Sequence, residues 1–74
     1  MTTDQPTSLR VFVNERGVDV PRDATALDAV RAIDANEADG VASGDRAITD
    51  SRGLPIDAHA PAFGGAIYRT VTAR

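Results

Sequence analysis

The spacing of apolar residues changes once in the first half of the chain, and this change restricts the possible folds more than any other feature of the sequence. From Leu9 to Val13 apolar side chains occupy alternate positions, whereas Leu27, Val30 and Ile33 recur at every third residue. The first spacing is typical of a half-buried β-strand and the second of an amphipathic helix. The sequence therefore predicts strands followed by a helix that packs on them, which is an α+β arrangement.

The segments "LRVFVN" and "VDV" are predicted to form a β-hairpin around "NERG", in which Gly17 would take a positive φ angle. Pro21 ends the second strand because it has no N–H to donate. The helix is expected in "TALDAVRAIDA", with Thr25 as its N-cap and Asp28 near the positive end of its dipole. On the wet side of this helix, Arg31 is predicted to pair with an aspartate three residues before or after it.

The second half of the chain is predicted to contain only short strands before the last one. The segment "NEADGVASGD" carries two glycines and indicates a loop with at most one helical turn between Glu37 and Val41. We expect "RAIT" to be a strand, "DSRG" a type I turn that begins at Asp50, and "LPI" an edge strand limited by Pro55. The last strand is predicted over residues 66–73.

The last strand, "AIYRTVTA", contains the one conflict of orientation. If Ile67 and Val71 face the core, Arg69 faces it too, and Tyr68 faces water. We predict this orientation, with the Arg69 stem packed and its charged head reaching out or pairing with an aspartate. The expected core then consists of Leu9, Val11, Val13, Val18, Val20, Leu27, Val30, Ile33, Ile48, Leu54, Ile56, Phe63, Ile67 and Val71.

Composition limits the classes of function. The chain has 74 residues, no cysteine and a net charge of -3, and it contains arginine but no lysine. This length corresponds to one domain, which we predict over residues 9–74 after a disordered lead-in at residues 1–8. The negative charge argues against binding to nucleic-acid phosphates. The lysine-free composition is interpreted as the bias of a GC-rich genome.

Location is predicted from the absence of targeting features. No apolar run approaches the roughly 20 residues of a membrane helix, and the polar start "MTTDQPTS" is unlike a signal peptide. We therefore expect a cytoplasmic protein that does not bind membranes, and we expect it to be a monomer.

Groups capable of catalysis or metal binding are sparse. His59 lies close to Asp57 and would need a nucleophile beside it to act as a catalytic base. The spacing of Asp45, Asp50 and Asp57 fits no calcium-binding loop, and no glycine-rich loop has the pattern of a phosphate cradle. The sequence therefore predicts no catalytic residues, no metal site and no cofactor, and we expect that the protein is not an enzyme.

The order of elements resembles that of the ubiquitin-like β-grasp proteins, above all the small sulfur carriers ThiS and MoaD. The likeness is carried by "LRVFVNERGVDVPRDATALDAVRAI", by "RAITDSRGLPI" and by "GGAIYRTVTAR". The resemblance implies a single β-grasp domain, with a mixed sheet of four to five strands and one helix packed on one face. It also implies a last strand that returns beside the first.

The resemblance implies a function that depends on a protein partner, and two hypotheses remain open. In the first, the chain is a carrier or modifier that docks on an adenylating or sulfur-transfer enzyme, with Thr72, Ala73 and Arg74 in its tail. The Gly-Gly that ends the carriers would then fall just beyond Arg74. In the second, the chain is a non-covalent binding module whose partner contacts the open sheet face at Phe12, Tyr68 and Thr70.

Overall fold

Five strands and two helices are present in the computed structural model, which describes residues 8–73. The predicted lead-in lies outside the described residues except for Ser8, which is the first residue of β1. The elements are β1 (Ser8–Val13), β2 (Arg16–Pro21), α1 (Ala26–Ile33), α2 (Ala35–Ser43), β3 (Arg46–Thr49), β4 (Pro55–Ile56) and β5 (Ile67–Thr72).

The strands form one mixed sheet in the order β2-β1-β5-β3-β4. β5 runs parallel to β1 on one side and antiparallel to β3 on the other. β2 pairs antiparallel with β1, and β4 pairs antiparallel with β3 at the opposite edge of the sheet. The predicted α+β class, the edge position of the "LPI" strand and the return of the last strand beside the first are confirmed, and the topology is compatible with a β-grasp.

The hairpin of β1 and β2 is confirmed, but its turn differs from the prediction. Asn14 and Glu15 form the turn, and their φ angles are 51° and 71°. Two left-handed residues in a two-residue loop match the twist of the flanking strands. Gly17 lies within β2 and supplies no positive φ angle, so that prediction is wrong.

Thr25 is the N-cap of α1, as predicted, and it also forms a capping box with Asp28. The Asp28 N–H donates to Thr25 Oγ1 (3.2 Å), and the Thr25 N–H donates to Asp28 Oδ2 (3.0 Å). Loop 57–62 satisfies two further amides of the first turn, since Ala58 and Ala60 supply backbone carbonyls to them. Arg31 pairs with Asp39 of the next helix (3.3 Å) and not with an aspartate three residues away.

Helix α2 replaces the predicted loop, so the expectation of a single helix is wrong. Asp34 ends α1 with extended backbone angles and caps α2, because its Oδ1 accepts from the backbone N–H groups of Asn36 and Glu37. Gly44 closes α2 with a φ angle of 91°. Neither helix in the described part of the chain is long and apolar enough to cross a membrane.

Gly40 explains why the sequence of α2 reads as a loop. A Cβ atom at Gly40 would lie 2.7 Å from Arg46 Cγ, so the glycine makes room for the side chain of β3 that passes across the helix. Glycine is required here because a side chain would clash with Arg46, and not because the backbone takes a positive φ angle. The cost of a glycine in a helix interior is about 1 kcal/mol, which the caps at both ends of α2 help to offset.

The core lies between the helices and one face of the sheet. Val11, Val13, Val20, Val30 and Ile48 are buried as predicted, while Leu9, Val18, Leu27, Ile33 and Ile56 are partly buried against them. Four predicted core residues are exposed: Leu54, Phe63, Ile67 and Val71. The positions that the prediction missed are Tyr68 and the small residues Ala24, Ala26, Ala29, Ala38, Ala62 and Ala66.

The orientation of β5 is the reverse of the predicted one. Tyr68 is 2% exposed, whereas Ile67 and Val71 are 45% and 40% exposed. Burying both aliphatic side chains would have placed Arg69 under the helices, in the central strand of the sheet. An unpaired buried charge costs several kcal/mol, which offsets most of the roughly 3 to 6 kcal/mol that burial of the two aliphatic side chains would contribute. The observed orientation avoids this cost and buries the large ring of Tyr68 instead.

Replacement of Asp34 by alanine tests the second helix. Asp34→Ala removes the side chain that caps α2, and we expect the free energy of unfolding to fall by about 1 kcal/mol. Urea denaturation of the variant measures this loss. Asp23→Ala, at an exposed aspartate outside both helices, is the matched control. Equal stabilities of the two variants would contradict the capping role of Asp34.

Candidate functional site

The three residues predicted to bind a partner do not share a face of the sheet. Phe12 lies on the open face, which is the face turned away from the helices, and is 37% exposed. Tyr68 points to the opposite side and is buried among core residues. Thr70 follows the same alternation as Tyr68 and is half-buried. The prediction of an exposed pair formed by Phe12 and Tyr68 is therefore wrong.

A different set of apolar side chains occupies the open face. Parallel pairing places Phe12 of β1 beside Ile67 of β5, and Val71 follows on the same side of β5. We refer to Phe12, Ile67 and Val71 as the open-face strip. Each member is exposed by more than a third. The strip runs across the two central strands, where both flanking strands hold the backbone in place.

Gly17 positions the aromatic member of the strip. This glycine is paired with Phe12 across the hairpin. A Cβ atom at Gly17 would lie 3.3 Å from Phe12 Cε1 and 2.7 Å from Arg10 Nη1. The missing side chain therefore lets the ring and the guanidinium lie over β2.

Two arginines accompany the strip on the open face. Arg10 Nε lies 3.2 Å from Asp19 Oδ1 on the neighbouring strand, and both side chains are more than half exposed. Arg69 lies between Ile67 and Val71 along β5, and no ion pair within residues 8–73 involves it. The strip is thus apolar at Phe12 and Ile67, and the positive charge of Arg69 separates this pair from Val71.

Thr70 links three elements on the helix side of the sheet. Its N–H donates to Asn14 Oδ1 (3.0 Å), and its hydroxyl donates to Glu37 Oε1 (2.6 Å). The Asn14 side-chain amide donates to Thr70 Oγ1 (2.9 Å). Glu37 Oε2 in turn lies 3.7 Å from Arg46 Nε. These bonds tie the hairpin turn and α2 to β5, and they leave Thr70 turned away from the open face.

A groove opens beside the strip, between loop 50–52 and the loop that leads into β5. It has a volume of about 250 Å³ and is lined by residues 50–52, by Phe63 and by residues 65–67. Phe63, predicted to lie in the core, is 64% exposed here. We refer to this feature as the Phe63 groove. Ile67 belongs to both the strip and the groove, so the two surfaces are continuous.

Asp50 holds the polar side of the groove in one conformation. Its Oδ1 accepts from the backbone N–H groups of Leu54 (3.0 Å) and Arg52 (2.8 Å), and its Oδ2 lies 3.3 Å from Arg52 Nη2. The Leu54 amide, followed by the Arg52 amide and guanidinium, lowers the pKa of Asp50. Because this pKa lies below its ordinary value, the carboxylate keeps its partners at neutral pH and loses them only as the pH falls through the lowered pKa.

The predicted tail begins within the sheet, because Thr72 is paired with Arg46 of β3. β5 ends at Thr72, and the Ala73 N–H donates to the Asp45 carbonyl (2.9 Å). The last residue of the predicted tail, Arg74, lies outside the described residues.

The remaining candidate groups do not form a common site. His59 is exposed, and its backbone N–H donates to Asp57 Oδ1 (2.8 Å) in a turn. Within residues 8–73, no three histidine, aspartate or glutamate side chains come together as a metal site would require. Asp45 and Asp50 lie at the start of β3 and just after its end.

The sequence contained a signal for the residues that the prediction misplaced. An arginine in a central strand faces the open side of a sheet unless it is paired, because its burial is costly. If Arg69 is assigned to the open face, strand alternation places Ile67 and Val71 there and Tyr68 in the core. No comparable signal marks Phe63, because its exposure depends on loops that meet only in the folded chain.

No family model matches this chain, and it has no significant match among curated proteins or among solved structures. The resemblance to ThiS and MoaD thus depends on the residues and the topology described above.

Replacement of Tyr68 by phenylalanine tests the orientation of β5. The Tyr68 hydroxyl is buried and has no hydrogen-bond partner within the described residues. Because an unsatisfied buried hydroxyl is costly, we expect Tyr68→Phe to raise the free energy of unfolding by about 1 kcal/mol. If the free energy of unfolding of Tyr68→Phe instead fell by a similar amount, the hydroxyl would have a stabilising partner.

The same variant has an expected signature at high pH. Burial raises the pKa of Tyr68, so the unfolded chain releases this proton first, and stability falls once the pH exceeds about 10. The chain has no lysine or cysteine and no other tyrosine, so no other side chain titrates near that pH. We expect this alkaline loss in the wild type and not in Tyr68→Phe, as measured by urea denaturation at several pH values. The same loss in both proteins would contradict burial of Tyr68.

Proposed function

We propose that the chain is a β-grasp domain of the ubiquitin-like class, similar to the ThiS and MoaD carriers. Three features support this assignment: a hairpin opens the chain, α1 follows it directly, and β5 lies parallel to β1 in the middle of the sheet. Helix α2 connects α1 to β3 and is an addition to the single-helix arrangement that the resemblance implies.

The proposed function is the binding of a partner protein through the open-face strip, without catalysis by the chain itself. The observation that carries this proposal is the exposure of Phe12, Ile67 and Val71 (37%, 45% and 40%) on one face of the sheet. Phe12 is paired with Ile67 across the two strands, and Arg69 lies between Ile67 and Val71. Burial of the exposed part of each side chain would contribute about 1 kcal/mol. Apolar residues next to one another on a surface are typical of protein interfaces.

The arginines on the open face support a protein partner. Arg69 lies between Ile67 and Val71 along β5, and Arg10 pairs with Asp19. Arginine is enriched at protein interfaces. It can form bonds with two oxygens of a carboxylate, which adds specificity to the binding.

A second candidate function is that of a carrier or modifier that is activated at its C-terminus. It is favoured by the exposure of Thr72 and Ala73, which extend the pairing of β5 with β3 and lie at the surface. In this proposal the partner is an adenylating or sulfur-transfer enzyme. It docks on the open-face strip while residues Thr72, Ala73 and Arg74 lead toward its active site.

A charge placed in the strip tests the binding proposal. Val71→Asp should reduce the amount of a specific partner captured from extracts of the source cells by at least about tenfold, because it places a carboxylate in an apolar contact. Quantitative mass spectrometry of the captured proteins measures the effect. Leu54→Asp is the matched control, because Leu54 is 51% exposed and lies outside the strip. Equal capture by Val71→Asp and the wild type would reject the strip as the docking surface.

Mass spectrometry of the C-terminus tests the carrier proposal. The natural protein is incubated with ATP, a sulfur donor and a candidate adenylating enzyme, next to an authentic carrier that this enzyme processes. A carrier should gain the mass difference between sulfur and oxygen at its terminal carboxylate. An unchanged mass, while the authentic carrier is converted, would rule out this chemistry with that enzyme.

A further inference from the structure

The Phe63 groove differs from the rest of the surface in how its apolar residues are exposed. Phe63 is 64% exposed, more than any other large apolar side chain of the described residues. Its neighbours Ala62 and Ala66 are buried, which anchors the loop on both sides of the ring. The ring is therefore held at the surface by an ordered backbone.

Gly64 leaves the backbone next to Phe63 without a side chain. A Cβ atom at Gly64 would meet nothing within 4 Å, and its φ angle is not in the left-handed region. The adjacent Gly65 differs, since its φ angle of 84° favours glycine. Neither conformation nor packing within the chain requires glycine at position 64. The bare backbone at position 64 leaves the Phe63 ring accessible from that side.

The size of the groove restricts its occupant. Its volume of about 250 Å³ is smaller than the 300 Å³ or more of a typical small-molecule pocket. The space suits one large side chain of a partner that lies on the adjoining strip. Aromatic side chains contribute most at such positions, because they bury a large area and lose little conformational freedom.

The charged residues of the strip and the groove indicate which group of the partner lies next to its aromatic side chain. The strip and groove together carry Arg10, Arg52 and Arg69 against Asp19 and Asp50, whereas the whole chain has a net charge of -3. The Arg52 side chain is 77% exposed, and only one of its terminal nitrogens contacts Asp50. The rest of its guanidinium is available to a carboxylate of the partner.

We propose that the Phe63 groove is a specificity pocket for one aromatic side chain of a partner protein, flanked by an acidic residue that pairs with Arg52. This inference rests on the proposed docking function and adds the sequence class of the partner: an aromatic residue next to an aspartate or glutamate. The aromatic ring packs between Phe63 and Ile67, and the carboxylate contacts Arg52 at the rim. Neighbouring apolar residues of the partner cover the strip.

Titration with a minimal probe tests this pocket without the natural partner. N-acetyl-tryptophan carries an indole ring and a carboxylate, and N-acetyl-tryptophanamide lacks the charge. In two-dimensional NMR spectra we expect saturable shifts of the backbone amides of residues 51–52 and 63–67, with millimolar affinity. N-acetyl-tryptophan should bind about two- to fivefold more tightly than the amide, which is the effect of one exposed ion pair.

Two variants separate the contributions, and both change exposed side chains that the fold does not need. Phe63→Ala should remove the saturable shifts with both probes, and Arg52→Gln should remove only the difference between them. Leu54→Ala, the control, should leave both titrations unchanged. The proposal is overturned if the groove amides do not shift, if Phe63→Ala binds as the wild type does, or if the two probes bind equally. Loss of partner capture in Val71→Asp together with a silent groove would reject the pocket and leave the docking strip standing.

Discussion

The position of β5 in the middle of the sheet is the constraint on which the rest of the structure depends. β1 and β3 occupy both of its edges, so each of its side chains points either under the helices or to the open face. Arg69 cannot be buried without a partner, and it therefore directs Ile67 and Val71 outward with it. Tyr68 then faces the helices, and the open face acquires the apolar strip that we propose as a docking surface.

Local rules were enough to predict the elements whose signals lie close together in the sequence. The hairpin strands, the N-cap at Thr25, the turn that begins at Asp50 and the short edge strand at Pro55 each depend on residues within a few positions of one another. The features that were predicted wrongly depend on distant contacts. In the sequence, Gly40 looks like a helix breaker. It is required because the Arg46 side chain passes close to it, and Arg46 belongs to a strand that follows the helix.

The candidate site was harder to predict than the fold for the same reason. Phe12 was assigned to the open face correctly, since hairpin alternation is local. Its neighbour was assigned wrongly, since the prediction placed Arg69 on the core face together with Ile67 and Val71, although burial of its charge is costly. The Phe63 groove forms where two loops come together in the folded chain, and the periodicity of the sequence does not predict contacts between loops. Gly17 and Gly40 show the same limit, because both are required by space and neither by a positive φ angle.

Charge is distributed in a way that supports one binding face. Asp28, Asp34, Glu37 and Asp39 lie on the helices and their caps, with Arg31 as the only cation there. Three of the other arginines, Arg10, Arg52 and Arg69, lie on the open face or in the groove, and Arg69 has no ion pair within the described residues. An acidic partner would therefore be directed to the sheet and not to the helices, by fields that act beyond contact distance.

The register of β5 is tested most directly by nuclear Overhauser effects in solution. The account predicts cross-peaks between the Tyr68 ring and the Val13 methyl groups under the helices, and between the Phe12 ring and the Ile67 methyl groups on the open face. Cross-peaks between the rings of Phe12 and Tyr68 would place both on one face. That result would contradict the strip, the groove and the proposed mode of binding together.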